Sequence, residues 1–281
     1  MTFSGCGMAG ALILDTASGP VPREADIAEM TAAQAHRGPD ARATWAAPGV
    51  ILGHARLAIT GPGDAGNQPM TRGHLTIAYI GEAYNYRELR RRLSRDYEFT
   101  TGTDTEVVLR AWHKWGQAAL ERIEGMGALA IWDARDRSLT LARDRAGIKP
   151  LYLCRGRGFT LFAAEVQALL RCPLASREPD RDALARHLLL SSAMQPDPEA
   201  TLIAGVRALP PGTVLTLHAD GRRSQRTWWS PPAPASGPGP SQAEAAASLR
   251  DLVEGATTAM MTASDVPVGV LLSGGVDSSL I

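Results

Sequence analysis

Short apolar runs alternate with turn residues from Gly10 to about Trp229, the pattern of a sheet-rich domain. Ala11-Leu12-Ile13-Leu14 predicts a buried strand, and Leu75 to Ile80 (LTIAYI) predicts another. In Val50 to Ile59 (VILGHARLAI) the strand period of two puts Leu52, His54, Arg56 and Ala58 on one face. Ile51, Gly53, Ala55, Leu57 and Ile59 fall on the other. Arg56 is thus expected to project from a strand that is otherwise half buried. MGALAIWD and SLTLARD, separated by Ala134-Arg135-Asp136-Arg137, predict a hairpin.

Helices are located by their caps. Asn85 precedes YRELRRRLSR, and Thr103-Asp104-Thr105-Glu106 has capping-box spacing ahead of VVLRAWHKW, which Gly116 stops. A further helix is predicted from Asp182 to Leu190. Leu209-Pro210-Pro211-Gly212 turns the chain into TVLTLH, and Asp220-Gly221 makes a hairpin turn beyond it. From Ser230 to Pro240 the sequence is SPPAPASGPGP, a stiff interdomain linker. Ser241 to about Ala263 is alanine-rich and helical, VPVGVLL (266–272) predicts a buried strand, and SGGVDSS follows. The expected division is a first domain over 6–229, a linker over 230–240 and the beginning of a second domain over 241–281.

Charge narrows the function. Lysine plus arginine (29) equal aspartate plus glutamate (29), so neither a nucleic-acid partner nor an anionic membrane is indicated. Cys6, Cys154 and Cys172 are too scattered for a metal site or a disulfide framework, which favours a reducing, cytoplasmic setting. No apolar run approaches the roughly 20 residues of a membrane-spanning helix. Phe3-Ser4-Gly5-Cys6 looks like a lipoprotein cleavage site, but the five residues before Cys6 hold no lysine or arginine and no apolar stretch.

The chemistry begins with Ser273-Gly274-Gly275-Val276-Asp277-Ser278-Ser279. Glycines after a strand let backbone N–H groups face an anion, serine hydroxyls add donors, and a following helix adds positive potential. The string lacks the Gly-Lys-Ser/Thr ending of a Walker loop. Upstream stand Cys6-Gly7, His36-Arg37-Gly38-Pro39-Asp40, Arg56-Leu57-Ala58-Ile59, Asn67-Gln68-Pro69-Met70, Gly81-Glu82-Ala83-Tyr84-Asn85, Thr103-Asp104-Thr105-Glu106 and ARDRAGIKPLY. In this order, ahead of the phosphate loop, they make the chain resemble the glutamine-dependent asparagine synthetases.

That resemblance implies a class II glutamine amidotransferase domain with the N-terminal-nucleophile hydrolase fold, an α+β protein built as a four-layer α/β/β/α sandwich. The start of an α/β nucleotide-binding, ATP-pyrophosphatase domain would follow. Glutamine would be hydrolysed to glutamate and ammonia, and the ammonia used for ATP-dependent amidation of aspartate through an acyl-adenylate. Cys6 would be the nucleophile, with its own α-amine, of pKa about 8, as base. The resemblance gives Gly81 N–H half of the oxyanion hole, Arg56 the glutamine α-carboxylate, and Glu82 and Asp104 its α-ammonium. Leu272, Ser273, Gly274, Gly275, Asp277 and Ser278 would contact ATP, with Asp277 helping to place Mg²⁺. A homodimer is allowed.

Three features depart from the family pattern. Ile80 stands where the family has an asparagine that donates the second oxyanion hydrogen bond, a loss of about 10²–10³ in rate. The leader MTFSG leaves Cys6 with a peptide nitrogen instead of an amine. The stretch from Ser241 to Ile281 is short for a nucleotide-binding domain, so the ATP site is expected to be incomplete, as in a fragment or truncated product. Two alternatives follow: a relative with a degenerate glutaminase domain that activates a carboxylate for another nucleophile, as in β-lactam- or peptide-cyclising enzymes, or an inert binding module.

Overall fold

The computed structural model describes residues 5–190, 197–233 and 239–281. The first four leader residues and linker residues 234–238 lie outside the described residues. Twelve strands are formed among the described residues: β1 (Gly7–Ile13), β2 (Ala41–Ala47), β3 (Val50–Arg56), β4 (Met70–Arg72), β5 (Leu75–Ala83), β6 (Gly125–Asp133), β7 (Ser138–Arg143), β8 (Tyr152–Gly156), β9 (Phe159–Ala163), β10 (Val206–Ala208), β11 (Thr213–His218) and β12 (Arg223–Thr227). They make two six-stranded sheets, β10-β8-β9-β1-β3-β2 and β12-β11-β7-β6-β5-β4. The predicted β6–β7 hairpin pairs Asp133 with Ser138, and the Asp220-Gly221 turn joins β11 to β12.

Side-chain alternation along the strands builds three apolar layers. Met8, Leu12, Leu52 and Phe162 of the first sheet meet Ala78, Ile80, Trp132 and Leu141 of the second in the central core. Helix α1 (Glu24–Ala32) covers the outer face of the first sheet, with Ile27 and Met30 against Ala9, Ala11 and Ile51. Helices α2 (Tyr86–Leu93) and α3 (Asp104–Trp115) cover the second, with Leu89, Val107 and Leu109 clustered with Ile77, Tyr79 and Ile131. The result is the four-layer α/β/β/α sandwich that the resemblance implies.

Two strand expectations need correction. β3 is buried on both faces, because α1 lies on one side and the second sheet on the other. Gly53 shows how closely: a Cβ there would sit 2.1 Å from Thr31 Oγ1 of α1. β3 also ends at Arg56, so residues 57–59 leave the sheet and start the loop that shapes the site. The second correction concerns VPVGVLL. Residues 266–272 form no strand, and Val268, Val270 and Leu271 are exposed. An isolated strand has no partner for its N–H and C=O groups, and none lies beside it among the described residues.

Short helices α4 (Ala119–Arg122) and α5 (Val166–Leu169) complete the packing of the two sheets. The helix expected at 182–190 is α6 (Arg181–Leu189), whose cap Asp180 accepts the Ala183 N–H at 2.9 Å. After the linker comes α7 (Gln242–Ala263), started by a capping box in which Ser241 and Glu244 satisfy one another's N–H groups. The five-residue α8 (Val276–Leu280) follows the serine–glycine loop.

Candidate active site

Cys6 immediately precedes β1, and the chain around it is held from several sides. Gln34 brackets Met8, donating to its carbonyl at 3.0 Å and accepting its N–H at 3.2 Å. Arg37 donates to the Cys6 carbonyl at 3.1 Å and is itself paired with Glu165 at 3.1 Å. The Cys6 Sγ accepts the Leu57 N–H at 3.3 Å, which ties the thiol to the loop leaving β3. Burial pushes the thiol pKa up to about 11, and the charges of Glu82 and Asp104 push in the same direction against the Leu57 N–H.

The opposite wall is the end of β5. Its register is fixed at Tyr79, whose carbonyl accepts from His54 Nε2 at 3.0 Å and from Gln68 Nε2 at 3.2 Å, while its N–H donates to Gln68 Oε1 at 2.7 Å. His54 is fully buried and stays neutral, since burial brings its pKa down to about 4. Its Nδ1 has no hydrogen-bond partner among the described residues. Gly81 has φ +155°, and a Cβ there would lie 2.2 Å from the Met126 carbonyl oxygen, so no other residue fits without moving β6. Ile80 is completely buried in the central core, the same cluster on which Cys6 packs.

Two carboxylates face one another beyond Gly81. Asp104, at the start of α3, accepts the Ala83 N–H at 3.0 Å. Burial holds its pKa up at about 6 despite that bond. Glu82 accepts from Thr60 Oγ1 at 2.9 Å. Burial and the neighbouring Asp104 raise its pKa to about 8. Near neutral pH the pair therefore holds a proton between them. The expected capping box of α3 is half formed: Thr103 Oγ1 accepts the Glu106 N–H, but the Glu106 carboxylate bonds the N–H groups of Thr100 and Thr101 and pairs with Arg72.

Arg56 closes the site. Its Nη1 donates to the Gly63 carbonyl and to Asn67 Oδ1, and its Nη2 donates to the carbonyls of Thr60 and Gly61. The guanidinium is therefore fixed, as its proposed role requires. All four terminal N–H bonds are already directed at protein oxygens, so a carboxylate meets Nε–H or displaces one of them. A cross-strand ion pair, the ordinary structural use of a strand arginine, is absent among the described residues.

Cys6, Arg56, Gly81, Glu82 and Asp104 line one narrow pocket. Leu272 to Asp277 are exposed, Ser278 is half-buried, and none of them lines that pocket. Thr60, Leu57, Gln68 and Lys149 were missed as site residues. Lys149 Nζ would lie 3.1 Å from a Cβ on Gly5, and burial lowers its pKa. No periodicity marks a lysine in a loop as part of a site. Thr60 directly follows Arg56-Leu57-Ala58-Ile59, and Leu57, Gln68 and Lys149 lie within motifs that carry the resemblance.

The serine–glycine loop is closed on itself. The Ser273 N–H donates to Ser278 Oγ at 3.2 Å, the two hydroxyls lie 3.0 Å apart, and Ser279 Oγ donates to the Gly275 carbonyl at 2.8 Å. These hydroxyl and N–H donors fit phosphoryl oxygens. Among the described residues there is no group of three or more histidine, cysteine or acidic side chains that could hold a metal ion.

Comparison with known proteins gives the family. A family model described as a glutamine amidotransferase domain matches residues 5–229. The chain belongs to the glutamine amidotransferase family. A model described as asparagine synthase matches residues 248–281 of this chain. The glutamine-hydrolysing asparagine synthetase 3 of Bacillus subtilis is 32% identical over 281 residues, covering 98% of this chain and 44% of its own. The glutamine-hydrolysing asparagine synthetase of Zea mays is 32% identical over 279 residues, covering 98% of this chain and 41% of its own. The chain thus spans less than half the length of these curated relatives. Among solved structures, the glutamine phosphoribosylpyrophosphate amidotransferase of B. subtilis superposes with a TM-score of 0.60 at 17% identity, over 80% of this chain and 49% of that one, and shows the shared fold. No helix among the described residues is long and apolar enough to cross a membrane.

Proposed function

We propose that residues 6–229 form a glutamine-binding amidotransferase domain, linked through 230–240 to the start of a synthetase domain at 241–281. In the larger protein, ammonia from glutamine would amidate aspartate at the expense of ATP. The observation that carries the reading is the single cavity that brings a cysteine, a fixed arginine and two coupled carboxylates together.

Each group has a chemical part. Glu82 and Asp104 would receive the α-ammonium of glutamine, whose positive charge removes the reason for one of them to stay protonated. Arg56 would anchor the α-carboxylate. The Cys6 thiol would attack the side-chain amide carbon, with the Gly81 N–H on the developing oxyanion. Ser273, Gly274, Gly275 and Ser278 would hold the phosphates of ATP, Leu272 the adenine through its backbone, and Asp277 one position on Mg²⁺. Bound there, the nucleotide would supply an adenylate leaving group to the acceptor carboxylate. A second reading, a domain that retains the cavity but hydrolyses glutamine poorly, is favoured by one observation: the buried aliphatic Ile80 has no donor to offer.

L-Glutamine is expected to bind this chain with release of about one proton near neutral pH, as Glu82 ionises against the incoming ammonium. Calorimetry in buffers of different ionisation enthalpy reads the proton directly, and absence of any binding would remove the glutamine reading. A stability prediction accompanies it. Glu82 titrates at about 8 in the folded chain against an ordinary 4.5, so the folded state keeps a proton that the unfolded chain releases. That contribution is fully present below about pH 4.5 and is lost as pH rises through 8. The melting temperature of the wild type should fall between about pH 6 and pH 9 more steeply than that of Glu82→Gln. Parallel curves would contradict the raised carboxyl.

A further inference from the structure

The residues that follow α7 return to the loop holding the glutamine-site groups. Asp265 Oδ2 accepts the Gly61 N–H at 2.8 Å, and the Asp265 N–H donates to the Ile59 carbonyl at 3.1 Å. Arg87 of α2 secures the same turn, donating to Asp265 Oδ1 at 2.9 Å and to the Thr262 carbonyl. Ala263, at the end of α7, is buried in the core beside α2 and α3. This segment belongs to the stretch matched by the asparagine synthase model, yet it is bonded into the amidotransferase.

The loop it grips is the one that organises the site. The peptide between Thr60 and Gly61 presents its N–H to Asp265 and its carbonyl to Arg56 Nη2 at 3.3 Å. The next carbonyl, of Gly61, accepts from the same Nη2 at 2.8 Å. The Thr60 hydroxyl donates to Glu82. Gly61 has φ +58°, and a Cβ there would lie 2.7 Å from Thr103 Cγ2, beside the start of the helix that carries Asp104. One short turn therefore bonds both Arg56 and Glu82 and lies against Thr103, the residue before Asp104.

We propose that Asp265 is a positioning residue for glutamine, acting through the Thr60–Gly61 peptide on Arg56 and Glu82. It also gives the second unit a direct hold on the first. The proposal rests on the glutamine reading of the cavity and goes beyond it by assigning a control point outside the amidotransferase match. A carboxylate on a peptide N–H makes the adjoining carbonyl a better acceptor, so Asp265 strengthens the hold on the Arg56 guanidinium. Whatever draws residues 266–281 toward or away from the site changes glutamine affinity, and glutamine in turn biases their position.

Two readouts on the full chain test this. Asp265→Ala should weaken L-glutamine binding about tenfold, the scale of one hydrogen bond to a charged group, and raise amide exchange across residues 57–63 by a similar factor. Asp265→Asn, which keeps a neutral acceptor for the Gly61 N–H, should recover most of the slow exchange and part of the affinity. A mere anchor for α7 would lower the melting temperature equally in both variants and leave exchange at 57–63 unchanged. Unchanged exchange in Asp265→Ala overturns the positioning role whatever the chain binds. Unchanged affinity, in a wild type that binds glutamine, overturns its effect on the substrate. A wild type that binds no glutamine removes the underlying reading, and the glutamine role with it.

Discussion

A chain that begins at Cys6 is expected to hydrolyse glutamine at least about a hundredfold faster than the chain that begins at Met1. In the longer chain the Cys6 nitrogen is an amide with no proton affinity near neutral pH. The thiol, pushed up to about 11 by burial and by Glu82 and Asp104, is then a thiolate in roughly one molecule in ten thousand at pH 7. Freed, the same nitrogen becomes an amine of pKa about 8, a base held one residue's geometry from the sulfur it serves. A positioned general base contributes about 10²–10⁴ in rate. The measurement is glutamate release from the two chains, with intact mass confirming each N-terminus and Cys6→Ala in the trimmed chain as the zero. Equal rates in trimmed and untrimmed chains would show that the amine is not the base. Lys149, buried near Gly5 with its pKa lowered, would then be the side-chain amine to examine.

How far the sequence disclosed this site depends on whether a residue acts through its own side chain or through the backbone. Cys6, Arg56, Glu82 and Asp104 were legible because the motifs around them are continuous, and the fold brings all four to one pocket. Apolar runs bounded by turn residues placed β5 and the β6–β7 hairpin, caps placed α2 and α3, and alanine content placed α7, since all these signals are local. What failed was non-local. β3 looked half exposed because its polar members, His54 and Arg56, are satisfied by Tyr79 and by loop carbonyls that only the tertiary fold supplies. VPVGVLL looked like a strand because apolar content predicts burial, whereas a strand exists only beside another. The Thr60–Gly61 turn was invisible for the same reason. Its work is done by peptide groups, and those are the same in every sequence.

Ile80→Asn, made in the chain that begins at Cys6, is expected to raise glutamine hydrolysis by about 10²–10³, the usual worth of one oxyanion donor. The side chain at position 80 enters the central core on which Cys6 packs, and the next residue is the Gly81 whose N–H would be the other donor. An amide there needs no movement of β5, whose register is pinned at Tyr79 by Gln68 and His54. The gain comes with a loss of stability. Ile80 is fully buried, and replacing it with a smaller polar side chain removes apolar packing worth about 2–5 kcal/mol. At this chain length that lowers the melting temperature by roughly 5–15 °C. Ile80→Ala separates the two effects, because it opens the same space without a donor. If the alanine variant gains as much activity as the asparagine variant, access and not the oxyanion donor was limiting. If neither gains, the domain keeps the cavity for binding alone, and the degenerate reading becomes the function of this site.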